Sequence, residues 1–283
     1  MDSAHPRYYL SLLGPFELQD VGRPITLASK KLHGLLAFLA CTPTGCSRDN
    51  LMTLLWGSHF QAQARQNLRQ CLTRLRRILG QDVFEGNGDI VRLRAGLISC
   101  DIGKFEAAVH LQTRDAVMEA ARIYRGPFLE GLVIAEEEWA DWVTLQRQDL
   151  ENQALDILIR VAELQMRSGN MKEATRTALR AIAINNFRED AHRIAMRSIA
   201  ATGNKALALN HYNKLCHDLR QELNVEPSEG TQAVAAGLRR PCGIAASSAE
   251  LTAFLSGHRD RTTPRPRADV DWHPACFLPK WHE

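Results

Sequence analysis

One turn signature, written twice in the second half of the chain, limits its fold more than any other feature. Ser168-Gly169-Asn170 recurs as Thr202-Gly203-Asn204, 34 residues later, and Ala174 recurs as Ala208, each alanine five residues past its glycine. Each glycine parts two amphipathic segments: Leu150–Arg167 and Met171–Ile184 around the first, Asp190–Ala201 and Lys205–Leu223 around the second. Glycine permits the tight turn between paired helices, and a small alanine lets the pair approach closely. A two-helix unit of this size cannot bury its apolar face alone, so such units must stack.

A 34-residue helix–turn–helix period is that of tetratricopeptide repeats. Two clear repeats are too few to stand by themselves, so upstream helices are expected to complete the stack. Asp115–Tyr124 and Glu136–Gln148 are the candidates, and the chain reads as almost wholly helical from Phe105 to about Leu238. Glu136-Glu137-Glu138 before Trp139 and Trp142 reads as a helix start, with carboxylates at the positive end of the dipole and the indoles turned inward. An acidic partner surface is the alternative. Arg239-Arg240-Pro241 marks the end of the helical part, because proline cannot continue a helix.

The first hundred residues follow a different grammar. Tyr8–Leu13, Phe16–Gln19 and Ile25-Thr26-Leu27 read as two or three short antiparallel strands, punctuated by Gly14-Pro15 and by the turn Asp20-Val21-Gly22-Arg23-Pro24. Ser29 is placed to cap a helix that carries Leu32, Leu35, Leu36, Leu39 and Ala40. Ser47 is placed to cap a second, with Asp49 in its first turn and Leu51, Leu54, Leu55 and Trp56 facing inward. After Gly57-Ser58 comes Gln61–Leu79, then Val83-Phe84, a Gly/Asn-rich turn and Ile90–Leu93, which read as a hairpin. Strands, helix, helix, helix, hairpin is the order of a winged helix-turn-helix whose third helix lies in the DNA groove.

That third helix carries five arginines and no acid. Ala64, Leu68, Cys71, Leu72, Leu75, Ile78 and Leu79 fall on one stripe about 120° wide, the usual width of a core-facing surface. Arg65, Gln66, Arg69, Gln70, Thr73, Arg76 and Arg77 fall outside it. Arginine neutralises phosphates and grips guanine through two bonds, and glutamine does the same for adenine. The hairpin brings Asn87, Arg92 and Arg94 toward the same side, where Asn and Arg suit phosphates or the minor groove. The candidate DNA-binding residues are therefore Arg65, Gln66, Arg69, Gln70, Thr73, Arg76, Arg77, Asn87 and Arg92. The bland reading of a basic helix is a solvated face, and bare winged helices also bind proteins. The charge decides between them: residues 1–100 hold 12 Lys/Arg against 7 Asp/Glu, whereas residues 101–240 hold 18 against 20.

Other classes find little support. No apolar run approaches a membrane span, and the N-terminus lacks a signal-peptide pattern, so a cytoplasmic location away from membranes is expected. The seven cysteines are odd in number and lack framework spacing, which predicts reduced thiols. Cys41-x4-Cys46, read as a pair of loop cysteines, has no second ligand pair. No Ser/His/Asp order, metal-ligand cluster or paired-carboxylate motif stands out, so neither an enzyme, a cofactor nor a metal is expected. Histidines such as His33, His192 and His211 read as packed or solvated.

With both halves in view, the chain resembles the bacterial transcriptional activators of the antibiotic regulatory protein (SARP) type. The resemblance is carried by Leu54-Leu55-Trp56-Gly57, by Ala64-Arg65-Gln66-Asn67-Leu68-Arg69-Gln70 through Leu75-Arg76-Arg77, and by Asp101 with Phe105-Glu106. It continues through Tyr124-Arg125-Gly126-Pro127-Phe128-Leu129, Arg188-Glu189-Asp190-Ala191-His192-Arg193 and Glu222-Leu223-Asn224-Val225-Glu226-Pro227. It implies a winged-helix DNA-binding domain joined to a tetratricopeptide-like activator domain, binding to direct repeats in double-stranded promoter DNA, and recruitment of RNA polymerase. Base contact would fall to Arg65, Arg69, Thr73 and Arg76, and backbone contact to the wing. Many relatives carry Gly-Tyr in the wing where this chain has Asn87-Gly88-Asp89-Ile90. Larger relatives continue into ATPase or cyclase domains, and this chain has no GxxxxGK[ST] phosphate loop. The expected organisation is a mainly α chain: a winged-helix domain over 1–100, a helical-repeat activator domain over 101–240 and a flexible tail over 241–283. It would act as a homodimer or as adjacent protomers on DNA. The competing reading is a helical-repeat scaffold whose winged helix binds protein, with little salt-sensitive affinity for DNA.

Overall fold

A computed structural model describes residues 6–57, 60–86 and 88–240. The segment 241–283 and Asn87 lie outside the described residues. The chain opens with strands β1 (Tyr8–Ser11), β2 (Glu17–Asp20) and β3 (Arg23–Pro24). The third strand lies two residues earlier than the Ile25–Leu27 expected. Val21 and Gly22 both take positive φ, 46° and 80°, so the chain reverses in two residues and pairing resumes at once, Asp20 opposite Arg23. Ile25 still donates its N–H to Leu18 O at 2.7 Å.

Helix α1 (Lys30–Cys41) is capped by Ser29, whose side chain accepts from Leu32 N, and α2 (Arg48–Trp56) by Ser47, which accepts from Asn50 N. Between them lies a strand that sequence reading missed, β4 (Cys46–Ser47). Cys46 is therefore a buried strand residue and Cys41 the last residue of α1, not a pair of loop cysteines. Helix α3 spans Gln61–Leu79, and β5 (Phe84–Glu85) pairs antiparallel with β6 (Ile90–Leu93). The two-residue β4 joins the far edge of β6, so the wing is three-stranded. A second unexpected strand, β7 (Ile98–Cys100), runs parallel to β1 and closes the first sheet in the order β3-β2-β1-β7.

The helical part begins with α4 (Asp101–Leu111) and α5 (Arg114–Ile123). Asp101 is buried, and its carboxylate accepts the N–H groups of Leu12 at 2.9 Å and Leu13 at 3.0 Å. Those are the donors that β1 leaves unpaired where it ends. The stretch Gly126–Glu130 continues the stitching: Gly14 N donates to Pro127 O, Leu129 N to Leu12 O and Glu130 N to Gly14 O.

Helix α6 (Glu137–Arg167) corrects one expectation: Glu136–Gln148 and Leu150–Arg167 form one 31-residue helix. Only Asp149 separates them, and no Gly or Pro interrupts the ladder. Then come α7 (Met171–Ile184), α8 (Glu189–Ala201), α9 (Lys205–Asp218), a single π-turn over Leu219–Leu223 and α10 (Glu229–Arg239). Gly169 and Gly203 have φ of 77° and 92°, the left-handed conformation both turns require. Ala174, Ala178 and Ala181 of α7 and Ala208 of α9 are fully buried, which allows the close helix contacts. Among the described residues no helix is long and apolar enough to cross a membrane.

A continuous buried cluster links the two halves. Trp142 of α6 meets Phe38 of α1 at 5.0 Å, Phe128 at 5.5 Å and Trp139 at 5.0 Å between ring centroids. Gly34 of α1 leaves room for Ile134 and Trp139, since a Cβ there would lie 2.6 Å from Ile134 Cδ1. Lys31 donates to Leu55 O at the end of α2 and to Glu136 at 2.8 Å, with the Glu136 side chain only 4% exposed. The glutamate run thus starts the helix, with Glu136 packed against the winged helix while Glu137 stays exposed.

Candidate nucleic-acid interface

Helix α3 buries Ala64, Leu68, Cys71, Leu72, Leu75 and Leu79 against α1 and α2. Ile78, at the edge of the expected stripe, is 37% exposed. Arg65, Gln66, Arg69, Gln70, Thr73 and Arg77 are exposed and Arg76 is half-buried. Among the described residues none of the helix's five arginines has an ion-pair partner. Arg76 lies over the Phe84 ring of β5 at 5.5 Å, which holds it toward the wing. The Thr73 hydroxyl donates to Arg69 O at 2.9 Å, leaving its lone pairs to accept.

The predicted residues divide into two groups. Arg65, Arg69 and Arg76 line a recess of about 500 Å³ between α2, α3 and the wing. Gln66, Gln70, Thr73 and Arg77 do not line it and occupy the outer face of α3. The recess also holds Arg48, Asp49 and Asp89, which sequence reading had not placed in the site. Arg48 had a legible signal. It is the first residue of α2, where the helix dipole disfavours a cation, so its position calls for another partner. That partner is the wing: Arg48 Nε donates to Gly88 O at 3.2 Å and Arg48 N to Asp89 O at 3.0 Å.

Two glycines set the wing's path. Gly45 (φ 83°) sits beneath it, where a Cβ would lie 2.8 Å from Arg92 Cβ, and Gly86 (φ 147°) has Ile90 O against the place its Cβ would occupy. Arg92 faces Glu85 at 3.5 Å, and Arg94 faces Asp82 at 3.4 Å and Glu85 at 3.7 Å. Both arginines are half exposed and Asp82 more so, and such pairs are weak enough to exchange for phosphate contacts.

Other chemistry is sparse. Burial holds the Cys46 thiol at about 11 and the Cys100 thiol at about 12, and pushes Cys41 well up, so none offers the thiolate a redox sensor needs. Among the described residues no group of three or more His, Cys, Asp or Glu is arranged to hold a metal ion.

Comparison with known proteins agrees with this architecture. Residues 100–239 match the family described as the bacterial transcriptional activator domain. The chain is 24% identical over 243 residues to the transcriptional regulatory protein MoaR1 of Mycobacterium tuberculosis, across 79% of this chain and 76% of that one. It is 26% identical over 234 residues to the regulatory protein AfsR of Streptomyces coelicolor, across 78% of this chain but 23% of AfsR. Among solved structures, Mycobacterium tuberculosis EmbR in complex with a low-affinity phosphopeptide shares the fold, with a TM-score of 0.65 and 21% identity over 89% of this chain and 69% of EmbR.

Proposed function

For this chain, which belongs to the SARP-type bacterial transcriptional activators, we propose that regulation works through sequence-specific binding of double-stranded promoter DNA by α3 and the wing. The observation that carries the reading is the row of α3 arginines without ion-pair partners among the described residues, next to a wing that carries Arg92 and Arg94. An unpaired guanidinium on a rigid helix is ready to displace counterions from phosphate and to fork onto guanine. Arg65, Arg69, Arg76 and Arg77 supply phosphate neutralisation and part of the base readout. Gln66, Gln70 and Thr73 refine sequence choice, and Asn87 and Arg92 meet the backbone.

In this reading residues 1–100 form the DNA-binding unit. Residues 101–240 form the activator unit, which orients neighbouring protomers on repeated half-sites and presents a surface to RNA polymerase. Such a regulator works in the cytoplasm and needs neither cofactor nor catalytic group. The test is selection from a pool of random duplexes at two salt concentrations, with sequencing of the retained fraction. The expected result is an enriched repeated motif whose retention falls with salt and is lost in Arg69→Ala/Arg76→Ala. Equal retention of that variant, or none at low salt, would turn the reading toward a winged helix that binds protein.

A further inference from the structure

The recess between α2, α3 and the wing gathers a fourth arginine that α3 does not supply. Arg48 of α2 lines it together with Arg65, Arg69 and Arg76 of α3. The three α3 residues are spaced by four and seven positions, so they share one edge of the helix, the edge that α2 flanks. Met52, Leu68 and Leu72 line the recess as well and are buried, which makes its floor apolar. A cleft with low-dielectric walls concentrates the field of the charges at its rim.

Two bonds fix Arg48 in place. Its backbone N–H donates to Asp89 O at 3.0 Å, one step beyond the β4–β6 pairs Cys46–Val91 and Ser47–Ile90. Its Nε donates to Gly88 O at 3.2 Å. That occupies one edge of the guanidinium. The two terminal nitrogens form the other edge, and among the described residues they have no hydrogen-bond partner. Asp49 and Asp89 line the same recess, yet among the described residues neither forms an ion pair with any of the four arginines. Four guanidinium groups against two carboxylates leave the recess cationic.

We propose that Arg48 is a DNA-contacting residue: its Nη1–Nη2 edge, with Arg65 and Arg69 beside it, grips one backbone phosphate in the recess while its Nε holds the wing turn. The inference rests on the reading of α3 and the wing given above and adds a residue of α2 to it. Two parallel N–H groups match two phosphate oxygens, which is why a guanidinium suits this contact. The recess lies to one side of the outer face of α3, where Gln66, Gln70 and Thr73 stand. A groove that receives that face brings its flanking phosphate chain to the recess. A phosphate is alike at every step of a duplex, so the contact sets register rather than sequence choice. Because one guanidinium serves both the phosphate and Gly88 O, it also ties the position of the wing to that register.

The experiment is a methylphosphonate scan. Each phosphate of the duplex selected from the random pool is replaced in turn by a neutral methylphosphonate. Affinity is then measured by fluorescence anisotropy for the full chain and for Arg48→Met. One position is expected to weaken the wild type several-fold and Arg48→Met not at all, since the variant has already lost that contact. Arg48→Met should also weaken selected and scrambled duplexes by the same factor and reduce the slope of log K against log salt by about 1. Arg48→Lys keeps the charge and the backbone bond and so guards against loss of fold. It should keep the slope but only part of the affinity, because one ammonium cannot fork onto phosphate and hold Gly88 O as well. If Arg48→Met binds both duplexes like the wild type, or shows the same methylphosphonate pattern, the proposal is overturned while DNA binding by α3 stands. A loss confined to the selected duplex overturns it too, by making Arg48 a base contact. If the wild type binds no duplex at all, the reading of α3 falls and this inference with it.

Discussion

Arginine means different things in the two halves of this molecule. In the helical region most arginines are absorbed by the fold: Arg122 faces Glu119, Arg176 faces Glu173, Arg188 joins Asp156 to Asp190, and Arg220 forks onto Glu226. Arg180 caps the end of α5, donating to Ala121 O at 3.2 Å and Tyr124 O at 2.9 Å. Helix α3 itself contains no acid, and among the described residues none of its five arginines forms an ion pair. The cause is compositional. The repeat region has enough Asp and Glu to neutralise itself, and the winged helix does not. Charge neutralised within the protein holds structure, whereas charge left open at a rigid face is available to a ligand.

The contrast would be broken most decisively at α3. Arg69→Ala/Arg76→Ala should lower duplex affinity by about a hundredfold or more, given roughly 1–3 kcal/mol for each base-reading arginine. Thermal stability should stay close to wild type, since among the described residues the Arg69 side chain has no ion pair to lose and Arg76 loses its stack on Phe84. Gel-shift titration together with a melting curve measures both. An unchanged affinity, or a large fall in Tm, would erase the distinction between the two sets. The converse substitution comes next in size. Arg180→Ala should cost about 1 kcal/mol and lower Tm by about 3 °C, because two carbonyls at the end of α5 lose a charged donor. Its duplex affinity should equal wild type. If it bound DNA poorly, the arginines of the repeat half would also have to be read as DNA contacts.

A finer separation is expected within α3 itself. Arg77 lies outside the recess that gathers Arg65, Arg69 and Arg76, on the outer face of the helix. If it meets phosphate alone, Arg77→Ala should weaken all duplexes alike and reduce the slope of log K against log salt by about 1. Measuring affinity for the selected motif and a scrambled duplex over a salt series checks this. A loss confined to the selected motif would assign Arg77 to base readout instead.

Legibility in the sequence followed the range of the interactions. The bounds of α3 and α7 and the caps Ser29 and Ser47 were readable because a helix's period and cap lie within a few residues of one another. The parallel pairing of β1 with β7 was not, since Tyr8 and Ile98 meet across ninety positions and nothing local marks Ile98–Cys100 as a strand. The two-residue β4 escaped for the same reason, as it is a strand only because β6 lies beside it. At the candidate site, the side chains on α3 were legible from one helical period. Asp49 and Asp89 were not, because the recess exists only once α2 and the wing fold against α3, and Arg48 at the start of α2 signalled only the need for a partner.

The smallest expected effect also divides the two halves, through pH. His192 in α8 is buried. Its Nε2 bonds Asn186 O at 3.0 Å, and its Nδ1 is buried without a hydrogen-bond partner. Burial, aided by nearby His211, lowers its pKa below the usual 6.5, against the opposing pull of the Asn186 carbonyl, Asp218 and Glu189. Burial and Lys214 lower His211 in the same direction. A lowered value means that the unfolded chain takes up protons before the folded one does. Stability is therefore complete above about pH 6.5 and declines as pH falls toward the folded-state values, with each histidine contributing at most about 1.4 kcal/mol per pH unit. His192→Gln keeps a donor for Asn186 O but cannot titrate, so its urea midpoint should fall less than wild type between pH 7.5 and 5. Hydrogen exchange should locate the change, with amides of α8 opening faster at low pH while those of α1 to α3 keep their protection. Equal acceleration in both halves would mean that the continuous core around Trp142 transmits the acid response across the whole molecule.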